Sequence, residues 1–228
     1  MASGQADIVA HSMGGDITVT LLSLPAYKQS QSYGIGSVST VITIGTPYTG
    51  APLANALLDP QNSCPAYWLG LGGNWSISNA IVAGSTVNGG VFDLQQGVSG
   101  SGNLGLPTLA IASTVDISTQ TNLNTCSFCL FAKLKEHCPA TSPLIQNMWS
   151  PQWQTIAGGA GDGIVPYVSQ INIANTASLT GLLHSAGLRI LGFTGTAELE
   201  DTNGVPNSIL NFRNTPQGVA SPALSGHR

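Results

Sequence analysis

Asp7-Ile8-Val9-Ala10-His11-Ser12-Met13-Gly14-Gly15 decides how the rest of the chain is read. Ile8, Val9 and Ala10 form a short apolar run, which predicts a buried strand. The run stops at a polar corner, after which Ile17, Val19, Leu21, Leu22 and Leu24 predict a helix that is apolar on most sides. A strand that turns sharply into a helix, with a serine at the turn and small residues around it, is the geometry of a nucleophile elbow. The strained turn lifts the serine hydroxyl clear of the sheet and sets the next backbone N–H at the helix N-terminus. Gly14 is expected to let the helix pass close to the strand. Ala10 fills the other small position of the G-x-S-x-G pattern.

Composition narrows the partners. The 228 residues suffice for a single large domain with a sizeable core. Only 7% are charged, against about 25% in ordinary globular proteins, so solubility rests on Ser, Thr, Asn, Gln and 28 glycines. With six basic residues and a net charge of −4, there is no lysine or arginine stripe to neutralise phosphates, and a nucleic-acid partner is not expected. No apolar run approaches the ~18 residues of a transmembrane helix. The opening Met1-Ala2-Ser3-Gly4-Gln5 has neither a charged n-region nor an apolar h-region, so no signal peptide is expected within the chain. Scarce charge and four cysteines lean toward an extracellular setting.

Outward from the elbow, Val38 to Ile44 is dense in β-branched residues and predicts a second buried strand, ending in Gly45-Thr46-Pro47. A helix is expected around Leu53 to Leu58, and Leu106 to Ser113 predicts a third strand. Two long excursions, 59–105 and 114–159, interrupt this pattern. Their length is that of lids or binding loops, and the second carries a short helix candidate around Phe128 to His137. Gly161-Asp162-Gly163-Ile164-Val165-Pro166 reads as a turn followed by an apolar step. Leu183-His184-Ser185 reads as a polar loop before Leu188 to Phe193, and the tail from Asn203 is poorly patterned. Strands separated by helical or long irregular connections indicate an α/β fold with a mostly parallel sheet.

A serine hydroxyl is a poor nucleophile at neutral pH and needs an imidazole to take its proton. The imidazole in turn needs a carboxylate to fix its tautomer and stabilise the imidazolium. Behind such an elbow the chain order is serine, acid, histidine, available here as Ser12, then Asp162 or Asp116, then His184. Among four histidines, His11 adjoins the serine and is expected to point the other way, His137 lies among cysteines, and His227 is the penultimate residue. His184 is therefore the expected base. Asp162, in a tight turn between two glycines, is favoured over Asp116 as the acid. A turn aspartate capping its own backbone is the competing reading of Asp162.

The blocks Ala10–Gly15, Val41–Pro47 and Gly161–Pro166 together resemble the bacterial lipases of the α/β-hydrolase superfamily. The resemblance covers roughly 1–60 and 105–195 in scattered pieces. It implies Ser12 as nucleophile and Asp162 as triad acid, with His184 as base by position. It also implies a serine carboxylester hydrolase working through an acyl-enzyme, with the Met13 N–H binding the oxyanion and no organic cofactor. In these lipases the middle motif often continues with His-Arg-Gly-Ser, where this chain has Tyr48-Thr49-Gly50-Ala51, so pocket residues there do not carry over directly. Such enzymes place four strands before the nucleophile strand, and a loop among them gives the second oxyanion donor. Neither is found in this chain, and losing one donor typically costs about 10²–10³ in rate. The nucleophile strand is then a sheet edge, which invites pairing with another chain. The chain is expected either to be the C-terminal part of a longer hydrolase or to complete its sheet by dimerising. An acyltransferase on the same triad and a non-catalytic binding domain are the alternative functions, and a calcium ion bracing the acid loop, as in some lipases, is left open.

Within the first excursion, Tyr67, Trp68, Leu69 and Trp75 stand among glycines. They are candidates for an apolar flap over a pocket that includes Tyr48, Trp68 and Trp75, or for the core beneath a long loop. Cys64, Cys126, Cys129 and Cys138 allow three pairings if all are bridged. Disulfides are favoured over zinc, because adjacent His137 and Cys138 ligands are sterically awkward and the usual second ligand pair is missing.

Overall fold

The structure, a computed structural model, describes residues 5–25, 36–58, 90–95, 104–116, 157–173, 175–191 and 193–215. Most of both long excursions, with Trp68, Trp75, all four cysteines and His137, lies outside the described residues, as does His227.

Four strands make one sheet in the order β1-β2-β3-β4, every neighbouring pair parallel. β1 is Ala6–His11, β2 Val38–Ile44, β3 Thr108–Thr114 and β4 Asn175–Thr180. The first three match the β-branched and apolar runs of the sequence. Parallel strands require crossovers, and these put helices on both faces. α1 (Met13–Ser23) follows β1 directly, α2 (Pro52–Leu58) follows β2, and α3 (Gly90–Asp93) precedes β3. α4 (Tyr167–Gln170) precedes β4, and α5 (Gly204–Asn214) ends the described chain. A small parallel pair, β5 (Leu182–Leu183) and β6 (Thr196–Ala197), lies beside the main sheet and brackets a 3₁₀ stretch, Ala186–Leu191. A second 3₁₀ turn, Glu198–Glu200, follows β6.

The period of two along β2 and β3 builds the two core layers. Val41 and Ala110 point to one face, where they join Val38, Tyr48 and Leu104 under Val19 and Leu22 of α1. Ile42, Ile44, Leu109 and Ile111 point to the other, where they meet Leu182 with Val205 and Phe212 of α5. Burying side chains such as Phe212 and Val205 contributes about 1.5–3 kcal/mol each. With both faces covered, β2 and β3 have no exposed position.

The structure corrects the sequence reading in four places. The tail after Asn203 is not patternless, because Val205, Ile209 and Phe212 bring one face of α5 against the sheet. β4, with the sequence NTASLT, is a strand that polar composition concealed. Leu182 and Leu183, beside the expected polar loop, are buried in β5. β1 is not the buried strand expected, since as a sheet edge among the described strands it has no buried position and Val9 is 51% exposed.

Candidate active site

Ser12 sits between β1 and α1 with φ 55° and ψ −133°, the only non-glycine with positive φ among the described residues. Holding a serine there costs on the order of 1–3 kcal/mol, which surrounding contacts must offset. The Ser12 N–H donates to the Ile44 carbonyl at 2.9 Å, and Thr46 Oγ1 donates to the Ser12 carbonyl at 3.1 Å. The end of β2 thus clamps the turn from both sides. The glycine that makes this possible is Gly15, where an added Cβ would collide with the Thr46 side chain. Gly14 has no described atom within 4 Å of that position, so the expectation that Gly14 allows the close approach is corrected by one residue.

His184 meets both expected partners. Its Nε2 lies 2.8 Å from Ser12 Oγ, placed to accept the hydroxyl proton, and its Nδ1–H donates to Asp162 Oδ2 at 2.8 Å. Asp162 is wholly buried, and His184 nearly so. The two readings of Asp162 are both true, one per oxygen. Oδ1 accepts the Ile164 and Val165 N–H groups at 2.9 and 2.7 Å, capping its own turn, while Oδ2 faces the imidazole. Both flanking glycines are required. A Cβ at Gly161 would strike the Val165 carbonyl, and Gly163 has φ +95° with Leu188 against it. The His184 N–H also donates to the Asp162 carbonyl at 2.9 Å, tying the two loops by backbone as well as side chain. Asp116, the competing acid, is exposed just past β3. Met13 occupies the first position of α1, whose N–H has no acceptor inside the helix. Tyr48, expected in a substrate pocket, is fully buried beside Val41 and Leu22, its hydroxyl 2.5 Å from Thr43 Oγ1.

Sequence reasoning missed three residues. Gln170 on α4 donates through Nε2 to Asp162 Oδ2 at 3.2 Å, to the Val165 carbonyl at 2.9 Å and to the Ser113 carbonyl at 3.2 Å. Its Oε1 accepts the Ser113 N–H at 2.8 Å. Ser113, at the end of β3, donates its hydroxyl to Glu198. Glu198 is a second buried carboxylate, which accepts from His11 Nε2 at 3.0 Å and lies 3.7 Å from His184 Nδ1. His11 therefore does not leave the site, and its ring centre is 4.7 Å from that of His184. No motif marked Glu198, whose neighbours Leu199 and Glu200 are solvent-facing.

Burial disfavours the His184 imidazolium, but the Asp162 carboxylate, its hydrogen bond and the Glu198 carboxylate outweigh that, and the pKa is raised above 6.5. Burial likewise raises the Glu198 carboxyl, opposed by its bonds from His11 and Ser113. His11, His184 and Glu198 offer ligand atoms within 4.8 Å of one another. Their protons and lone pairs are already committed to one another and to Ser12, Asp162 and Ser113, so we read the group as a proton network, not a metal centre.

A mixed α/β chain with a four-stranded parallel sheet and a serine at a strained strand-to-helix turn is compatible with an α/β-hydrolase-like fold. No family profile and no curated protein matches the sequence. Among solved structures the chain is similar to EstA from Clostridium botulinum, with a TM-score of 0.42 and 13% identity. The match covers 91% of this chain and 64% of EstA, so the chain spans less than two thirds of that structure's length. Among the described residues, no helix is long and apolar enough to cross a membrane.

Proposed function

We propose that the protein is a serine carboxylester hydrolase that works through an acyl-enzyme on Ser12. The observation that carries this reading is the position of His184, whose two ring nitrogens lie 2.8 Å from Ser12 Oγ and from Asp162 Oδ2. Three separate chain segments converge on that one imidazole. In the first half-reaction the Ser12 proton passes to His184 Nε2 as Oγ bonds to the ester carbonyl carbon. The Met13 N–H, at the positive end of α1, faces the developing oxyanion. The imidazolium then returns its proton to the departing alcohol as the carbonyl–oxygen bond breaks. Water, deprotonated by the same nitrogen, then bonds to the acyl carbon, and the proton passes to Ser12 Oγ as the acyl–Oγ bond breaks and the acid leaves. Asp162 holds Nδ1–H in place, so that Nε2 is the nitrogen left free to act as base.

The test is covalent labelling with a fluorophosphonate, alongside hydrolysis of short p-nitrophenyl esters. Labelling of the native chain at Ser12, with none in Ser12→Ala, is expected. A folded native chain that neither labels nor cleaves any ester would remove the proposal. Supplying an alcohol and measuring transfer against hydrolysis separates this reading from an acyltransferase.

A further inference from the structure

Glu198 is a buried carboxylate that a two-residue relay to Ser12 does not need, yet several segments make room for it. At the end of β2, Gly45 has φ +56°, and a Cβ there would collide with the Glu198 carboxylate. At the end of β3, Ser113 donates its hydroxyl to Oε1. At the end of β1, His11 donates to Oε2 at 3.0 Å. The same oxygen stands 3.7 Å from His184 Nδ1, which is itself bonded to Asp162. A side chain needed only for packing would not require an absent Cβ and two donors, because a buried charge is costly and an apolar residue of similar volume would serve as well.

We infer that Glu198 is a positioning residue that supplies a second negative charge to the His184 imidazolium, its two oxygens placed by the donors from His11 and Ser113. The inference rests on the proposed role of His184 as base. When the Ser12 proton arrives on Nε2, the resulting cation faces two carboxylates, Asp162 in hydrogen-bond contact and Glu198 behind it. Removing the second charge lowers the affinity of His184 for that proton. The groups facing Glu198 are His11 from β1, Ser113 from β3, Asp162 from the acid turn and His184 from the loop after β5. Those facing His184 are Ser12, His11, Asp162 and Glu198. Arg189 and Arg213 are paired elsewhere, with Glu200 and Asp7.

The experiment follows the His184 ring nitrogens by NMR across pH in the full chain labelled at histidine, with resonances assigned by single His→Gln variants. Glu198→Gln, which keeps the shape and removes the charge, is expected to lower the His184 midpoint by about one pH unit, a tenfold loss of proton affinity. His11→Gln, which keeps a donor on Glu198, is expected to move it much less. The acid limb of kcat/KM in Glu198→Gln should shift in the same direction as the NMR midpoint. A folded Glu198→Gln with the native His184 midpoint would overturn the inference. Should that variant fail to fold, Glu198→Asp, whose carboxylate is withdrawn by one methylene, is expected to give an intermediate midpoint. An unshifted midpoint there has the same consequence. The midpoint is read without any turnover, so absence of Ser12 labelling would count against the hydrolase alone, and an unshifted midpoint against Glu198 alone.

Discussion

His184 and Asp16 are both perturbed by burial, with opposite consequences. In the proposed reaction His184 must be neutral to accept a proton from Ser12, and its pKa is raised above 6.5 by Asp162 and Glu198 against the effect of burial. The acid limb of kcat/KM is therefore expected above pH 6.5, with activity rising toward the alkaline side. A profile already flat at pH 6 would contradict this charge assignment. Asp162→Asn keeps the shape of the turn but lets Nδ1 be the bare nitrogen, and loss of the favoured tautomer is expected to lower kcat by about 10⁴. Asp16, on α1, is buried with Oδ1 lacking any hydrogen-bond partner among the described residues. Burial first, then the charge of Asp93, pushes its pKa from 3.8 up to about 6. Between those values the folded chain binds a proton that the unfolded chain does not, so stability falls as pH rises from about 4 to about 6 and stays lowered above. Asp16→Asn should consequently raise the melting temperature by several degrees at pH 7 and leave it nearly unchanged at pH 3.5. Equal melting shifts at both pH values would refute this.

At the scale of elements, the turn from β1 to α1 depends on how closely the helix can cross the end of β2. A methyl at Gly15 meets Thr46, which is buried and bonded to the Ser12 carbonyl, whereas a methyl at Gly14 meets nothing described. Gly15→Ala is expected to cost about 1–3 kcal/mol by overpacking. Gly14→Ala is expected to be neutral or to gain about 0.5 kcal/mol, since the helix loses a flexible residue. Urea midpoints of the two variants, compared with native, read the difference directly. The elbow, β2 and β3 were legible in the sequence because β-branched and apolar runs bounded by Gly, Pro and Ser have few other uses in a chain this poor in charge. The convergence of Ser12, Asp162 and His184 was legible for a related reason: few histidines compete, and the Gly-Asp-Gly turn leaves one carboxylate oxygen beyond its own cap. β4 was not legible, since NTASLT is an edge strand with mostly exposed positions and carries no apolar signature. α5 was hidden because its apolar residues are diluted by Asn, Ser and Arg and only one narrow face is covered. Glu198 and Gln170 were out of reach on different grounds. A buried polar side chain is defined by partners distant in sequence, as Ser113 is from both Glu198 and Gln170, and no local pattern records such pairings.

The whole molecule is asymmetric across its sheet. β4, one edge among the described strands, shows solvent the polar side chains of Asn175, Thr176, Ser178 and Thr180. β1 is the other edge among the described strands, and there Val9 is 51% exposed. The adjoining helix adds Ile17, Leu21 and Leu24, each about half exposed, and Met13 at its start. Among the described residues an edge strand and half-exposed apolar helix side chains face water here, and covering such apolar surface lowers the free energy. At micromolar concentration the chain is therefore expected to self-associate through this side, which remains the proposal made from the sequence of a dimer through the nucleophile strand. Val9→Lys combined with Leu21→Lys places two charges on that surface, where neither side chain is needed for the buried core. Sedimentation velocity over a hundredfold range of concentration should then show association weakened by at least tenfold, with the melting temperature little changed. An unaltered mass distribution in the double variant would show that contacts elsewhere hold the copies together. A native chain that stays monomeric throughout would show that the exposed side tolerates water unaided.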